Sequence, residues 1–234
     1  MKTKKYSIIP LLIAVLGMLS ACSNKSDRSM FGVKGKVKNY IEKNYHVEMN
    51  SGEWKKGEVT RYGNTRVSFD RNGNYESIEF LNEDNSVSQK IVPVRKDGKI
   101  VKENRYDENG EKVGDSEIGN QSETEITYSS YDEDGKKISM GKTYLENDRA
   151  VRREIFMEGS GDTQEEIIIE FEYDENGNIS STKQTDRKGK IMSDNVFKYT
   201  KFDEHNNWTE RLEYSKENSD TPQKIVHRTY EYHE

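Results

Sequence analysis

The chain holds one cysteine, three prolines and two tryptophans in 234 residues. A single cysteine excludes any intramolecular disulfide, so an exported form must hold its fold by pairing and packing alone. Apolar residues are scarce as well, at 31%. Beyond the first 21 residues, Val, Ile, Leu and Phe make up about one residue in six, a level that borders on disorder. The shortage of proline and the presence of 14 tyrosines oppose disorder. No excess of basic charge is present; the formal net charge is −6. These shortages exclude a large Leu/Ala-packed globule, a polytopic membrane protein, a disulfide scaffold and a basic nucleic-acid binder.

What apolar sequence there is begins at the N-terminus. Lys2, Lys4 and Lys5 precede an apolar run from Ile8 to Leu19, which Pro10 and Gly17 interrupt. The run is too short to span a bilayer comfortably, and the order of parts is that of a secretory signal. It ends on Leu19-Ser20-Ala21-Cys22. That tetrad resembles the lipobox of bacterial lipoproteins. The resemblance implies cleavage before Cys22 and acylation of its sulfur and new amino group, and loss of the leader's three lysines would take the net charge to −9. Two or three acyl chains anchor far more firmly than one. Ser23, not Asp, follows the cysteine, which resembles the sorting pattern for the outer membrane. The expected layout is a signal peptide over 1–21, a polar tether over 22–31 and one domain over 32–234. The partner implied is a membrane, reached through the lipid.

The rest is built on a recurring turn. An aromatic, an Asp, two residues and a Gly or Asn appear as Phe69-Asp70-Arg71-Asn72-Gly73 and Tyr106-Asp107-Glu108-Asn109-Gly110. They return as Tyr131-Asp132-Glu133-Asp134-Gly135, Tyr173-Asp174-Glu175-Asn176-Gly177 and Phe202-Asp203-Glu204-His205-Asn206. Weaker turn signals lie between the copies, so turns recur mostly every 12 to 13 residues. That spacing leaves about eight residues per strand and predicts a hairpin meander. Glycine or asparagine supplies the positive φ, and the Asp side chain accepts backbone N–H groups further along the turn. Alternation supports strands: Ile167, Ile169, Phe171 and Tyr173 point one way, Glu166, Ile168, Glu170 and Glu172 the other. From Val37 to Tyr45 a strand is favoured, with a helix as the alternative.

On these residues the sequence resembles the YD-repeat (Rhs-like) family, with Phe171-Glu172-Tyr173-Asp174-Glu175-Asn176-Gly177-Asn178-Ile179 as the best copy. The resemblance implies a strand-turn unit and an exported location; it does not imply toxin delivery. The expected fold class is all-β: an antiparallel meander of repeated hairpins, curled into a partial shell or folded into two layers, since open sheets rarely exceed about ten strands. Outer faces should carry Lys/Glu/Thr ladders, each pair worth about 0.2–1 kcal/mol.

Candidate sites are few. Glu172, Asp174, Asn176 and Gly177 fit the first half of a calcium loop, yet Lys183 stands where the bidentate Glu is needed, so turn-forming Asp is the better reading. His46, His205, His227 and His233 lack a metal-ligand spacing. No catalytic motif, metal site or cofactor site is expected. Trp54 and Trp208 are the residues best suited to stack on a ligand, against the plainer reading that each packs in a thin core. The functional expectation is a non-enzymatic lipoprotein of the bacterial outer membrane, periplasmic or surface-facing, presenting a binding surface to a glycan, cell-wall or protein partner. An immunity protein against a periplasmic toxin and a hydrolase on a β-scaffold are the alternatives.

Overall fold

A computed structural model describes residues 26–158 and 164–234. After a single helical turn, α1 (Asp27–Met30), every element is a strand. The first five are β1 (Val37–Asn50), β2 (Glu53–Val59), β3 (Asn64–Phe69), β4 (Tyr75–Leu81) and β5 (Val87–Lys96). Next come β6 (Lys99–Asp107), β7 (Lys112–Gln121), β8 (Glu125–Asp132), β9 (Lys137–Glu146) and β10 (Arg149–Glu158). The last five are β11 (Gln164–Tyr173), β12 (Ile179–Asp186), β13 (Ile191–Phe202), β14 (Trp208–Ser215) and β15 (Asn218–Tyr232). Val37 to Tyr45 is strand.

From β3 onward neighbours in sequence pair antiparallel, β1 pairs with both β2 and β3, and the sheet then closes, because β1 pairs with β15 from Val37↔Tyr232 to Tyr45↔Ile225. Tyr45 pairs with Val59 on its other edge, and further down that same edge Tyr40 pairs with Val67. β2 and β3 therefore share one position in the wall, and the barrel has fourteen strands. This corrects two expectations. The meander is neither a partial shell nor two layers, and the chain is a closed barrel, not a YD-repeat (Rhs-like) hairpin fold. The physical reason is that a turn motif specifies each hairpin but not the edge where the first strand meets the last. Closure removes the two unpaired edges that an open sheet would leave.

Six loops share the Asp chemistry. In each, Asp Oδ1 accepts the N–H four residues on: Asn74 to Asp70 at 2.9 Å, Glu111 to Asp107 at 2.8 Å and Lys136 to Asp132 at 2.8 Å. Asn178 to Asp174, Lys190 to Asp186 and Asn207 to Asp203 repeat it, all at 2.8 Å. The fourth residue of each turn has positive φ, for instance +85° at Gly177 and +60° at Asn206. In the five copies that carry the aromatic, a register shift falls beside it, so each loop also twists its hairpin.

Cross-strand partners share a face, so the register separates inside from outside. Tyr40, Val67, Ile78, Ile91 and Arg105 run round the inside. Arg66, Glu79 and Lys90 run round the outside, joined at 2.9 and 3.1 Å. The outer wall continues in this style. Lys102 and Lys112 hold Asp115, Lys142 holds Glu125, Arg152 links Glu154 with Glu170, and Lys201 and His227 flank Glu210.

Fourteen strands enclose more space than wall side chains alone can fill. At the end holding the 70–74, 97–98 and 203–207 turns, the segment before β1 supplies the filling. Asp27 accepts the Tyr75 N–H at 2.8 Å and pairs with Arg95. Arg28 donates to the Val37 and Asp70 carbonyls. Phe31 meets Tyr40, Phe69 and Tyr75 edge-on. Val33, Val37, Val67, Ile78, Phe80, Ile91 and Ile100 complete the core there. The stretch expected as a polar tether, 22–31, is thus packed against the barrel from Asp27 onward.

Candidate functional site

The plug leans on the β1 and β3–β6 side of the wall. Across from it, between the plug and β10–β15, a chamber of about 130 Å³ remains. Ser29 to Gly32 form its plug side. Arg149 and Arg153 of β10, Arg211 of β14 and Arg228 of β15 reach it from the wall. Phe171, Tyr173, Tyr199 and Trp208 supply its aromatic surface.

Each guanidinium lies over a ring. Arg228 is 4.1 Å from the Trp208 centroid and 4.4 Å from that of Tyr40. Arg211 sits 4.6 Å from Phe197 and 5.0 Å from Trp208. Arg149 covers Tyr173 at 5.4 Å, and Arg153 covers Phe171 at 6.0 Å. Stacking holds the planes and leaves the N–H edges to find partners. The rings are fixed in turn, because Tyr173 Oη donates to the Ala150 carbonyl at 2.9 Å and Tyr199 Oη to that of Ile179 at 2.8 Å.

The four arginines are not equally satisfied. Arg228 Nε donates to Glu42 Oε2 at 2.8 Å. Burial pushes the Glu42 carboxyl up, but Arg228 and Arg211 outweigh it and hold Glu42 below its ordinary value. Arg153 is 1% exposed, and its Nε donates to Thr143 Oγ1 at 3.2 Å. No carboxylate lies within ion-pair range of it among the described residues, and burial lowers its pKa. Among the described residues, Arg211 Nε is buried without a hydrogen-bond partner. The lining holds one carboxylate, Asp148.

Trp208, named from sequence as a stacking residue, is 4% exposed and lines the chamber. Trp54 lies opposite Met49 near the far end of β1, away from it. The turn residues Asp70, Gly73, Asp174, Gly177, Asp203 and Asn206 sit at the plugged end; Asp107, Gly110, Asp132 and Gly135 sit at the other. Cys22 lies outside the described residues. Sequence reasoning missed the arginines. Their signal was parity: Arg228 shares a face with Val226, Tyr230 and Tyr232, and Arg153 with Ile155. It also missed Asn207, which is 1% exposed and bonds both backbone groups of Lys34, accepting at 2.6 Å and donating at 3.0 Å.

No family model matches the chain, and no curated protein does. Among solved structures, a porin-like protein from Bacteroides vulgatus ATCC 8482 is 9% identical, with 83% of this chain and 98% of that one aligned at a TM-score of 0.49. A porin-like protein from Bacteroides uniformis ATCC 8492 is 10% identical, with 85% and 98% aligned at a TM-score of 0.43.

Proposed function

We propose that this protein is a non-enzymatic binding protein of the bacterial envelope, tethered through lipid on Cys22 to the outer membrane, and that it holds a small ligand in the chamber inside its barrel. The chamber carries the reading: it is partly enclosed, its aromatic and guanidinium groups are held in place by stacking, and the buried Arg211 Nε in its wall lacks a hydrogen-bond partner among the described residues. Small-molecule sites have this make-up, apolar walls with a few fixed polar groups.

Two observations support the rest. The outer wall carries charge ladders where a membrane-spanning barrel needs an apolar band, and a lysine or arginine facing lipid at mid-membrane costs about 2–4 kcal/mol. The barrel therefore belongs in water, and attachment falls to the N-terminus. Four chain steps separate Cys22 from Ser26, a reach of about 14 Å at most, which would keep the plugged end beside the lipid surface. Hydrolysis by paired carboxylates finds no second carboxylate beside Asp148 in the chamber lining.

A Trp54→Phe variant leaves Trp208 as the only tryptophan. A panel of small envelope metabolites should quench or shift its fluorescence and raise the melting temperature. If every active compound leaves Trp208 emission unchanged, the ligand binds elsewhere and the chamber reading fails. For the anchor, residues 23–234 exported behind a leader that is cleaved without acylation should appear in the soluble envelope fraction. Retention through a carbonate wash would overturn it.

A further inference from the structure

We propose that the chamber is an anion site: it takes a small organic acid whose carboxylate or phosphate oxygens are received by Arg153 and Arg211, with the carbon frame lying on Trp208 and Tyr199. The proposal rests on the reading that the chamber is where a ligand binds.

Charge makes the first argument. Four guanidinium groups meet at the chamber, and Glu42 balances Arg228 while Asp148 is the one carboxylate in the lining. A net positive charge remains. An uncompensated buried charge is expensive, and proteins keep such charges paired or at a site. Among the described residues Arg153 has no acidic partner at 1% exposure, and the buried Nε of Arg211 has no hydrogen-bond partner. Both groups sit on the same chamber. Arginine presents its donors in a rigid planar fork that matches carboxylate and phosphate oxygens.

Geometry makes the second. Rings hold these guanidinium planes before any ligand arrives, so their donors need little ordering on binding. The Trp208 and Tyr199 rings lie 5.5 Å apart and form one apolar flank of the chamber. Size makes the third. An engineered cavity of about 150 Å³ admits benzene. A chamber of about 130 Å³ therefore takes one ring, or an acyclic acid of like bulk, and is too small for a sugar chain, a peptide or a nucleotide.

The test uses the purified barrel carrying Trp54→Phe, titrated with benzoate, phenyl phosphate, benzamide and methyl glucoside. Benzoate or phenyl phosphate should quench Trp208 and raise the melting temperature by several degrees, and benzamide should bind at least about tenfold more weakly. The two acids separate a carboxylate preference from a phosphate preference. Arg153→Met should abolish the response to the acids and melt at or above its parent, because an uncompensated buried charge has been removed. Arg153→Lys should keep part of the response. Should Arg153→Met fail to fold, Arg211→Gln carries the same expectation for binding. Equal responses to benzamide or methyl glucoside and to the acids would overturn the anion class and leave the chamber as a binding site. Silence to all four compounds would overturn both readings. An acid response that survives Arg153→Met and Arg211→Gln would place the anion elsewhere and also overturn the proposal.

Discussion

Gly177 is where a single residue ties turn to chamber. Its φ is +85°, and a Cβ built there would lie 2.5 Å from Arg149 Nη2. Gly177→Val should therefore cost about 1–3 kcal/mol from backbone strain and displace Arg149 from Tyr173. A lowered melting temperature with β-sheet circular dichroism kept in the cold is the expected result. Asn206 holds the equivalent place at φ +60° with a Cβ already present, so Asn206→Gly should be neutral or mildly stabilising in the same assay. Glu103 is the residue that makes stability depend on pH. It is 2% exposed, its Oε1 accepts from Tyr75 Oη, and Oε2 has no partner. Burial pushes its carboxyl up from 4.5 to about 8 against the pull of Tyr75 and Arg105. Below pH 4.5 both folded and unfolded forms are protonated. Between 4.5 and 8 the unfolded chain releases a proton that the folded one retains, so this group's contribution falls as pH rises and then levels off. Glu103→Gln should remove that fall. Its stability relative to wild type should grow by a few kcal/mol between pH 4 and pH 9 in urea titrations. A constant difference across that range would show that Glu103 ionises normally in the fold.

Among elements, the plug and the outer ladders contribute on different scales. Phe31 presents its ring to three others, and Arg228 Nη1 reaches its carbonyl at 3.5 Å. Phe31→Ala should cost about 3–5 kcal/mol, the range for emptying an aromatic site in a core. Amides of β1, β3 and β4 near the plugged end should then exchange faster than those of β8 and β9. Uniform exchange would mean that the plug is not a separate support for that end. By contrast, Glu79 joins Arg66 and Lys90 on the water side. Such pairs gain little Coulomb energy in water and give up side-chain freedom to form. Glu79→Gln should shift stability by less than about 1 kcal/mol, measured by the same denaturant titration.

At the scale of the molecule, closure and polarity decide where the barrel can live. Closing the sheet through β1 and β15 pairs the first strand with the last, and among the described residues β2, which pairs with β1 alone, keeps one open edge. Ion pairs recur along the outside between scattered apolar side chains such as Val94 and Met140, and a segment of the chain itself blocks one end. Residues 23–234 should therefore stay monodisperse in buffer and bind no detergent, as judged by sedimentation velocity with and without a neutral detergent. A requirement for detergent would place the wall in lipid after all.

Turns and local strands were legible in the sequence because their causes are local. Asp and Gly three positions apart close a loop whatever surrounds it, and the hairpin boundaries at the Asp-bearing turns follow from that chemistry. Which way the strands face was legible only in part. Phe171 and Tyr173 do face the chamber. Leu212 and Tyr214, which share parity with Trp208, face outward, where Lys198 covers Tyr214 at 4.5 Å. Register shifts between Tyr199 and Phe202 break the period of two and turn Arg211 inward. In the same way a shift between Val37 and Asn39 puts Val37 and Tyr40 on one face and Ile41 on the other. Closure, the folding back of the plug and the meeting of four arginines were not legible at all. Each joins residues far apart in the chain, such as Arg153 with Arg228, or Lys34 with Asn207. A pattern of neighbours in sequence carries no record of which distant edge or face it will meet.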